Sequence, residues 1–284
     1  LSDSKRLIDL LSATDDFFKS KGIESPRRNA EALFAKALNL PRIELYIQHD
    51  RPVKDSELEQ LRELIRQRSK RVPLQYLLGE VEFFGARIQL KKGLLIPRPE
   101  TEELVEHVVK LLPTNARVLD IGCGTGCISV ALAKANSDCS VVSIDIDHDA
   151  VSQTAHNATL NQVGDRVKAV ALDLFDPECA KKCGSTFDVV ISNPPYIRED
   201  ELPSLEPEVR EFENRHALVS GPTGFEYYER IAELLPALLP SGIAAMEFGM
   251  TQAERLREIF APHFSSLTIH QDLQGRDRYL IGRK

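Results

Sequence analysis

No stretch of this 284-residue chain approaches the roughly 18 consecutive apolar residues that a membrane-spanning helix needs. Leu1–Lys5 carry no apolar signal-peptide core and no initiator Met, which fits processing or truncation. Cysteine is scarce and badly arranged for structural work. The five residues Cys123, Cys127, Cys139, Cys179 and Cys183 are odd in number, and both close pairs are spaced C-x-x-x-C rather than C-x-x-C. No His stands near them at ligand spacing, so a metal site is not expected, and the pattern points to reduced thiols in a cytoplasmic protein. Internal repeats and low-complexity segments are missing too.

What is present is an ordinary soluble profile, with 42% hydrophobic and 28% charged residues. The net charge of −7 is unevenly spread: residues 1–72 hold 15 Lys+Arg against 12 Asp+Glu, and the remainder hold 21 against 31. An acidic majority argues against gripping duplex DNA through many phosphate contacts, and no stable nucleic-acid or membrane binding is expected. The mild basic excess of the first 72 residues suits either partner docking or a solvated helical surface.

The chain divides by pattern. Residues 1–72 read as a small helical bundle. Leu7, Ile8, Leu10, Leu11, Phe17 and Phe18 form one amphipathic set, and Ser25-Pro26 opens a second helix as N-cap and N1 proline. A short helix is expected around Ile43–Ile47, and Ser56-Glu57-Leu58-Glu59 fits a capping box. Residues 73–92 read as a linker whose runs Val81–Phe84 and Arg87–Leu90 make a hairpin around Gly85-Ala86. From residue 93 a helix near Glu100–Leu111 precedes regular strand–helix alternation, which implies a mostly parallel sheet of seven strands with helices on both faces. Ligands in such sheets sit at the carboxyl ends of the strands.

Asp120-Ile121-Gly122-Cys123-Gly124-Thr125-Gly126 follows the first of those strands and opens a helix. Glycine lets the backbone turn and approach a ligand with no Cβ in the way. A dinucleotide loop wants G-x-G-x-x-G, but Cys127 stands where its third glycine belongs, and no Lys-Ser/Thr follows for a phosphate loop. Asp120 suits a cationic ligand, and the spacing fits S-adenosylmethionine with its methionine part on Gly122, Cys123, Gly124, Thr125 and Gly126. Asp145 ends the second strand, about 20 residues on, where an acid accepts from ribose hydroxyls. Asp173 after the third strand is placed for the adenine amino group, with Leu174 and Phe175 as apolar surface. Strand-end acids are also common helix caps, and for Asp145 alone the two readings weigh about equally. Cys123 and Cys127 read better as small residues in a tight loop than as redox thiols, because no cation adjoins them.

Asn193-Pro194-Pro195-Tyr196 ends the fourth strand. An NH₂ on a planar conjugated group is a poor nucleophile with two donors, and it needs two acceptors. The Asn193 side-chain oxygen and the Pro194 carbonyl supply them, while the prolines fix φ and hold that carbonyl still. Tyr196 offers a flat face for stacking. The motif serves adenine and cytosine amino groups as well as protein amides.

The wider pattern narrows that choice. Pro73-Leu74-Gln75-Tyr76-Leu77-Leu78-Gly79, Glu82-Phe83-Phe84-Gly85, Ile96-Pro97-Arg98-Pro99-Glu100-Thr101-Glu102, the glycine loop, Asn193–Tyr196, Glu247-Phe248-Gly249 and Gly275-Arg276-Asp277-Arg278 together resemble the peptide-chain-release-factor glutamine N5-methyltransferase family (HemK family). The resemblance spans the whole chain. It implies a Rossmann-like class I methyltransferase domain at 93–284, the helical bundle as a substrate-docking domain, and a hairpin linker between them. It implies release factors 1 and 2 as protein substrates, with the glutamine of their Gly-Gly-Gln loop as methyl acceptor. By matching positions, Gly122–Gly126, Asp145, Asp173-Leu174 and Asn193 contact the cofactor. Asn193, Pro194, Pro195 and Tyr196 hold the glutamine, and Phe84 lines its channel. Two domains bridging a large protein substrate suit a monomer. Arg98 receives no chemical role, being suited equally to a salt bridge and to a lid. Leu174 stands where some relatives carry an aromatic, and Glu213-Asn214 replaces a usual Glu-Pro. The competing reading is a nucleic-acid amino-methyltransferase of the adenine-N6 type, against which stand the acidic remainder and the lack of a recognisable target-recognition domain.

Overall fold

The computed structural model describes residues 6–284; Leu1–Lys5, the start of the expected helical region, lie outside the described residues. The chain forms two compact units. The first runs to Gly79 and takes in Pro207–Phe212, a short helix from far along the chain. Its helices are α1 (Leu7–Ser20), α2 (Pro26–Leu38), α3 (Glu44–Ile47), α4 (Asp55–Ser69) and α5 (Leu74–Leu78). On α1 the buried residues Leu7, Leu11, Thr14 and Phe18 recur at steps of four, three and four, one stripe of an α-helix. They close on Ala30, Leu33 and Phe34 of α2 and Leu58, Leu61 and Leu64 of α4 in one core.

The expected box at Ser56 is displaced. Helix α4 starts at Asp55, because the Glu57 carboxylate accepts the Lys54 N–H at 2.9 Å one step earlier and also pairs with Arg51. Ser25 precedes α2 as expected but caps nothing with its side chain. Arg68 is buried, and three acceptors satisfy it: Asn29 Oδ1 at 2.7 Å, the Val72 carbonyl at 3.1 Å and Glu208 at 3.0 Å. The last of these holds the Pro207–Phe212 helix to the bundle.

The units divide between Gly79 and Glu80, inside the segment 73–92. The second unit begins with the hairpin β1 (Glu80–Phe83) and β2 (Ala86–Gln89), then α6 (Pro99–Leu111). There follow β3 (Arg117–Ile121), α7 (Cys127–Ala135), β4 (Ser140–Asp145), α8 (His148–Leu160), β5 (Val167–Ala171), α9 (Cys179–Lys182) and β6 (Val189–Ser192). The short strand β7 (Ile197–Arg198) comes next, then α10 (the Pro207–Phe212 helix of the first unit), α11 (Arg215–Leu218) and β8 (Val219–Gly221). The chain ends with α12 (Glu226–Leu238), β9 (Ile243–Glu247), α13 (Ala253–Phe260), β10 (Ser266–Gln271) and β11 (Asp277–Arg283).

Seven strands make one sheet in the order β10-β11-β9-β6-β3-β4-β5, parallel except where β11 pairs with its neighbours. This is the Rossmann-like class I methyltransferase fold expected. The central strands are covered on both faces and read as continuous apolar runs; all five residues of β9 are buried. From β3 the chain builds outward through β4 and β5, then returns to the other side of β3 with β6. That reversal is the topological switch point, and it leaves a crevice at the carboxyl ends of β3 and β6. There Ile121 pairs with Ser192, so the segments that follow, 122–126 and 193–196, emerge side by side.

Candidate active site

The glycine loop is tied down from below. The Gly122 and Cys123 N–H groups both donate to the Ile144 carbonyl, at 2.8 and 3.1 Å, and Gly126 N–H donates to Cys123 O at 2.7 Å. Gly124 and Gly126 have φ of +54° and +78°, a region that suits glycine. They are glycines for different second reasons. A Cβ on Gly126 would lie 2.8 Å from the Thr154 side chain and 2.9 Å from its Cα, so α8 packs directly on that residue. A Cβ on Gly122 or Gly124 would meet nothing within 4 Å, and both residues line an open cavity. The loop therefore leaves open space that a side chain at either position would enter.

That cavity, about 1080 Å³ with its mouth, is also lined by Asp145, Asp173, Leu174, Asn193, Pro194, Pro195 and Tyr227. Asp145 accepts the Gly124 N–H at 2.9 Å on one oxygen and the Asp147 N–H at 2.9 Å on the other. Each oxygen keeps a lone pair for a ligand hydroxyl. Burial pushes its carboxyl up from the usual range, and the two N–H donors oppose that. Asp173 is exposed at the rim, its Oδ1 accepting the Phe175 N–H at 2.8 Å. Leu174 is buried, and Phe175 meets Tyr227 edge-on at 5.2 Å.

Asp120 lies beneath the loop, fully buried. One oxygen accepts from Ser129 Oγ at 2.5 Å and the other has no partner. Desolvation pushes its carboxyl to about 7. Open space over two glycines and a strand-end acid with spare lone pairs together fit a nucleoside such as S-adenosylmethionine, whereas Asp120, expected to face a cationic ligand, lies beneath the loop and outside the cavity lining. Cys123 and Cys127 line the same cavity as buried thiols, and burial pushes Cys127 to about 12 and Cys123 upward as well, which withholds the reactive thiolate.

Asn193 is anchored by its amide nitrogen, which donates to Thr101 Oγ1 at 3.2 Å. Thr101 in turn donates to Glu247 Oε2 at 2.6 Å. Burial raises the Glu247 carboxyl to about 7. Tyr196 does not line the cavity: its ring lies against Gly249, within 3.3 Å of where a Cβ would stand, and burial lifts its hydroxyl to about 12.

Phe84 is not in the cavity either. It sits in the hairpin turn at φ +44°, packed on the core beside α7 and α8. The reason is how the hairpin is tied. Asn161, just past the end of α8, and Asn157 within it accept the Arg87 and Gln89 N–H groups at 3.0 and 2.9 Å, and Lys134 in the last turn of α7 donates to Gly85 O at 2.6 Å. The glycine loop opens the first turn of that same helix, so the two lie at opposite ends of it.

A family model described as the PrmC N-terminal domain matches residues 9–79, and one described as the Methyltransferase small domain matches 99–205. The release factor glutamine methyltransferase of Chlorobaculum tepidum is 38% identical over 282 residues, covering 96% of each chain. That of Geobacter sulfurreducens is 39% identical over 276 residues, covering 96% of this chain and 95% of its own. The chain belongs to the release factor glutamine methyltransferase family. Among solved structures, the hMettl16 catalytic domain in complex with MAT2A 3'UTR hairpin 6 superposes with a TM-score of 0.54 at 18% identity, over 81% of this chain and 82% of that one. At that identity the likeness concerns the fold.

Several cavity residues of this family member drew no functional reading from sequence: Leu94, Leu95, Thr101, Asn214, His216 and Tyr227. Arg98 Nη2 donates to both oxygens of buried Glu213, at 2.7 and 2.8 Å, so it joins two cavity walls as a salt bridge. Asn214 donates its N–H to Gly93 O at 2.7 Å, a bond that proline at this position could not make. Its side chain accepts the His216 N–H at 3.0 Å and caps α11. The Glu-Asn pair thus ties residues 213–216 to the 93–98 wall.

Proposed function

We propose that this protein transfers the methyl group of S-adenosylmethionine to the side-chain N5 of the glutamine in the Gly-Gly-Gln loop of peptide chain release factors 1 and 2. The observation that carries the reading is the pairing of Ile121 with Ser192, which sets the glycine loop beside an Asn193 amide held by Thr101. In this reading Gly122–Gly126 cradle the amino-acid part of the cofactor, Asp145 takes the ribose hydroxyls, and Asp173 with Leu174 takes the adenine.

When bound, S-adenosylmethionine supplies an electrophilic methyl group on a sulfonium, whose sulfur keeps the bonding pair. The chain's own part is to orient the acceptor. Asn193 Oδ1 and the Pro194 carbonyl accept the two N–H donors of the glutamine amide, which aims its nitrogen at the cavity. Both acceptors bind more strongly as positive charge grows on that nitrogen, so they favour the transition state over the ground state. Orientation of this kind contributes about 7–11 kcal/mol. The methylated amide then releases a proton to water, and no side-chain base is needed. Pro195 stiffens the segment, and Tyr196 supports it from below, packed on Gly249.

The first unit docks the release factor, and the protein acts as a cytoplasmic monomer without stable nucleic-acid or membrane attachment. Among the described residues no helix is long and apolar enough to cross a membrane. The test uses labelled S-adenosylmethionine with a release factor, its loop Gln→Ala variant, and DNA. Label on the release factor alone supports the reading; label on DNA in place of the release factor refutes it. Asn193→Ala is expected to cut kcat by about 100-fold or more while cofactor affinity holds. Loss of cofactor binding in a folded variant would remove the acceptor role from Asn193.

A further inference from the structure

We propose that Thr101 and Glu247 are positioning residues, forming a one-way hydrogen-bond chain that decides which end of the Asn193 amide faces the acceptor nitrogen. The proposal deepens the methyltransferase reading and rests on it. A threonine hydroxyl owns one proton, and here it goes to Glu247 Oε2 at 2.6 Å. A carboxylate only accepts, so it fixes that direction. The Thr101 oxygen then meets Asn193 only with a lone pair, and the amide must offer its NH₂ there, at 3.2 Å. Asn193 Oδ1 is consequently left for the substrate. Were the chain to run the other way, the amide would turn, and its NH₂ would face the substrate NH₂, donor against donor.

Both positioning groups are buried. Thr101 is 2% exposed in the first turn of α6, and Glu247 is 1% exposed at the end of β9. A carboxylate in such a place is costly, and it forms no salt bridge with a cation: among the described residues its side chain accepts one hydrogen bond, from Thr101. The charged and titratable groups around it are Arg278 on β11, Glu100 and Arg98 at the start of α6, Tyr196, Tyr228, whose hydroxyl donates to the Glu247 carbonyl, and Cys127 on α7. Arg278 and Arg98 favour the carboxylate; Glu100 and burial oppose it, and burial is the largest influence, leaving the group at about 7.

A group so poised exchanges its proton around neutrality. As a carboxylic acid it can donate to Thr101, which reverses the chain and lets the Thr101 proton point at Asn193. Activity should then fall with pH through Glu247, although Glu247 touches no substrate. A purely structural threonine at the start of α6 predicts no such profile.

The test measures kcat and KM on a release factor from pH 6 to 8.5 for the wild type, Thr101→Ser, Thr101→Val and Glu247→Gln, with cofactor Kd determined separately. With Glu247 at about 7, the wild type should lose kcat about tenfold in all between pH 8.5 and pH 6. Thr101→Ser keeps the hydroxyl and should stay within about fivefold of the wild type. Thr101→Val should lose about 100-fold in kcat with cofactor Kd nearly unchanged. Glu247→Gln can present either end of its amide to Thr101 but cannot titrate, so whatever the height of its kcat, the profile should hold level from pH 6 to 8. If Thr101→Val proves unfolded, the Glu247→Gln profile decides alone. Thr101→Val at wild-type kcat, equal losses in the Ser and Val variants, or an acid limb surviving in Glu247→Gln would each overturn the proposal. A wild type inactive on release factors would instead overturn the parent reading, and this proposal with it.

Discussion

One added methyl group separates the two jobs of the glycine loop. Gly85, Gly124 and Gly126 share positive φ, at +73°, +54° and +78°. Alanine at any of them pays the left-handed strain of about 1–2 kcal/mol. Gly85 lies in the hairpin turn with open space around it, so Gly85→Ala measures that strain alone. Gly126→Ala adds a Cβ 2.8 Å from the Thr154 side chain and 2.9 Å from its Cα. Backbone cannot swing aside as a flexible side chain can, so α8 must move, and overpacking of this kind costs about 1–3 kcal/mol more. Gly124→Ala meets no protein atom within 4 Å. Its methyl group instead enters the cavity, where it competes with the cofactor. Stability should therefore rank wild type above Gly85→Ala and Gly124→Ala together, with Gly126→Ala lowest. Cofactor affinity should rank Gly85→Ala with the wild type and Gly124→Ala roughly 10- to 100-fold weaker, the binding equivalent of the same overpacking. Urea denaturation and titration calorimetry read the two orders. If Gly124→Ala bound S-adenosylmethionine as the wild type does, the cradle assigned to this loop would be wrong. If Gly126→Ala were no less stable than Gly85→Ala, the close approach of α8 would not be what requires glycine there.

Removing the Arg98 side chain strands the buried Glu213 carboxylate; because the Arg98 side chain is 30% exposed, the expected loss is only about 1–3 kcal/mol. Burial already holds Glu213 above the usual range and Arg98 pulls it down, so Arg98→Ala raises it further. The penalty should appear above that raised value and fade as pH falls, which urea melts of the variant from pH 5 to 8 would detect; a loss constant with pH would count against it. Asp120 stands at about 7 in the fold against 3.8 in the open chain. Between those values the unfolded state ionises and the folded one does not, so stability falls as pH rises through the window, by on the order of 4 kcal/mol at most. Asp120→Asn should flatten that slope in thermal melts, and an unchanged slope would show that Asp120 is ionised throughout.

Much of this was legible in the residues. The alternation after Arg117 announced the parallel sheet, since apolar runs of strand length separated by helix-length stripes have few other ways to bury both. The glycine spacing, Asp145 and Asn193–Tyr196 stand in single short segments, where local geometry follows from local chemistry. Helix ends were less legible. Ser56 is a good cap by type, yet Glu57 reached back to Lys54 first, and competing caps one residue apart differ little in energy. Tyr196 and Phe84 illustrate another limit. A motif names neighbours along the chain, but the direction of each side chain depends on what packs behind it: Gly249 for the first, α7 and α8 for the second.

By itself the sequence determined the fold class by its periodicity and the family by its resemblance, and it singled out the glycine loop and Asn193–Tyr196 as the proposed cofactor and amide sites, because each is carried by contiguous residues or by periodicity. Only the tertiary structure decided how Asn193 is held. Thr101 stands 92 residues before it, and Glu247 is 146 residues beyond Thr101. Both stand in segments that carry the family resemblance, but neither segment points to this pairing, since a buried Thr and a strand-end Glu are common. Their meaning comes from a sheet that sets the ends of β6 and β9 side by side, with the first turn of α6 against them. It comes too from burial, which makes a single proton's position matter.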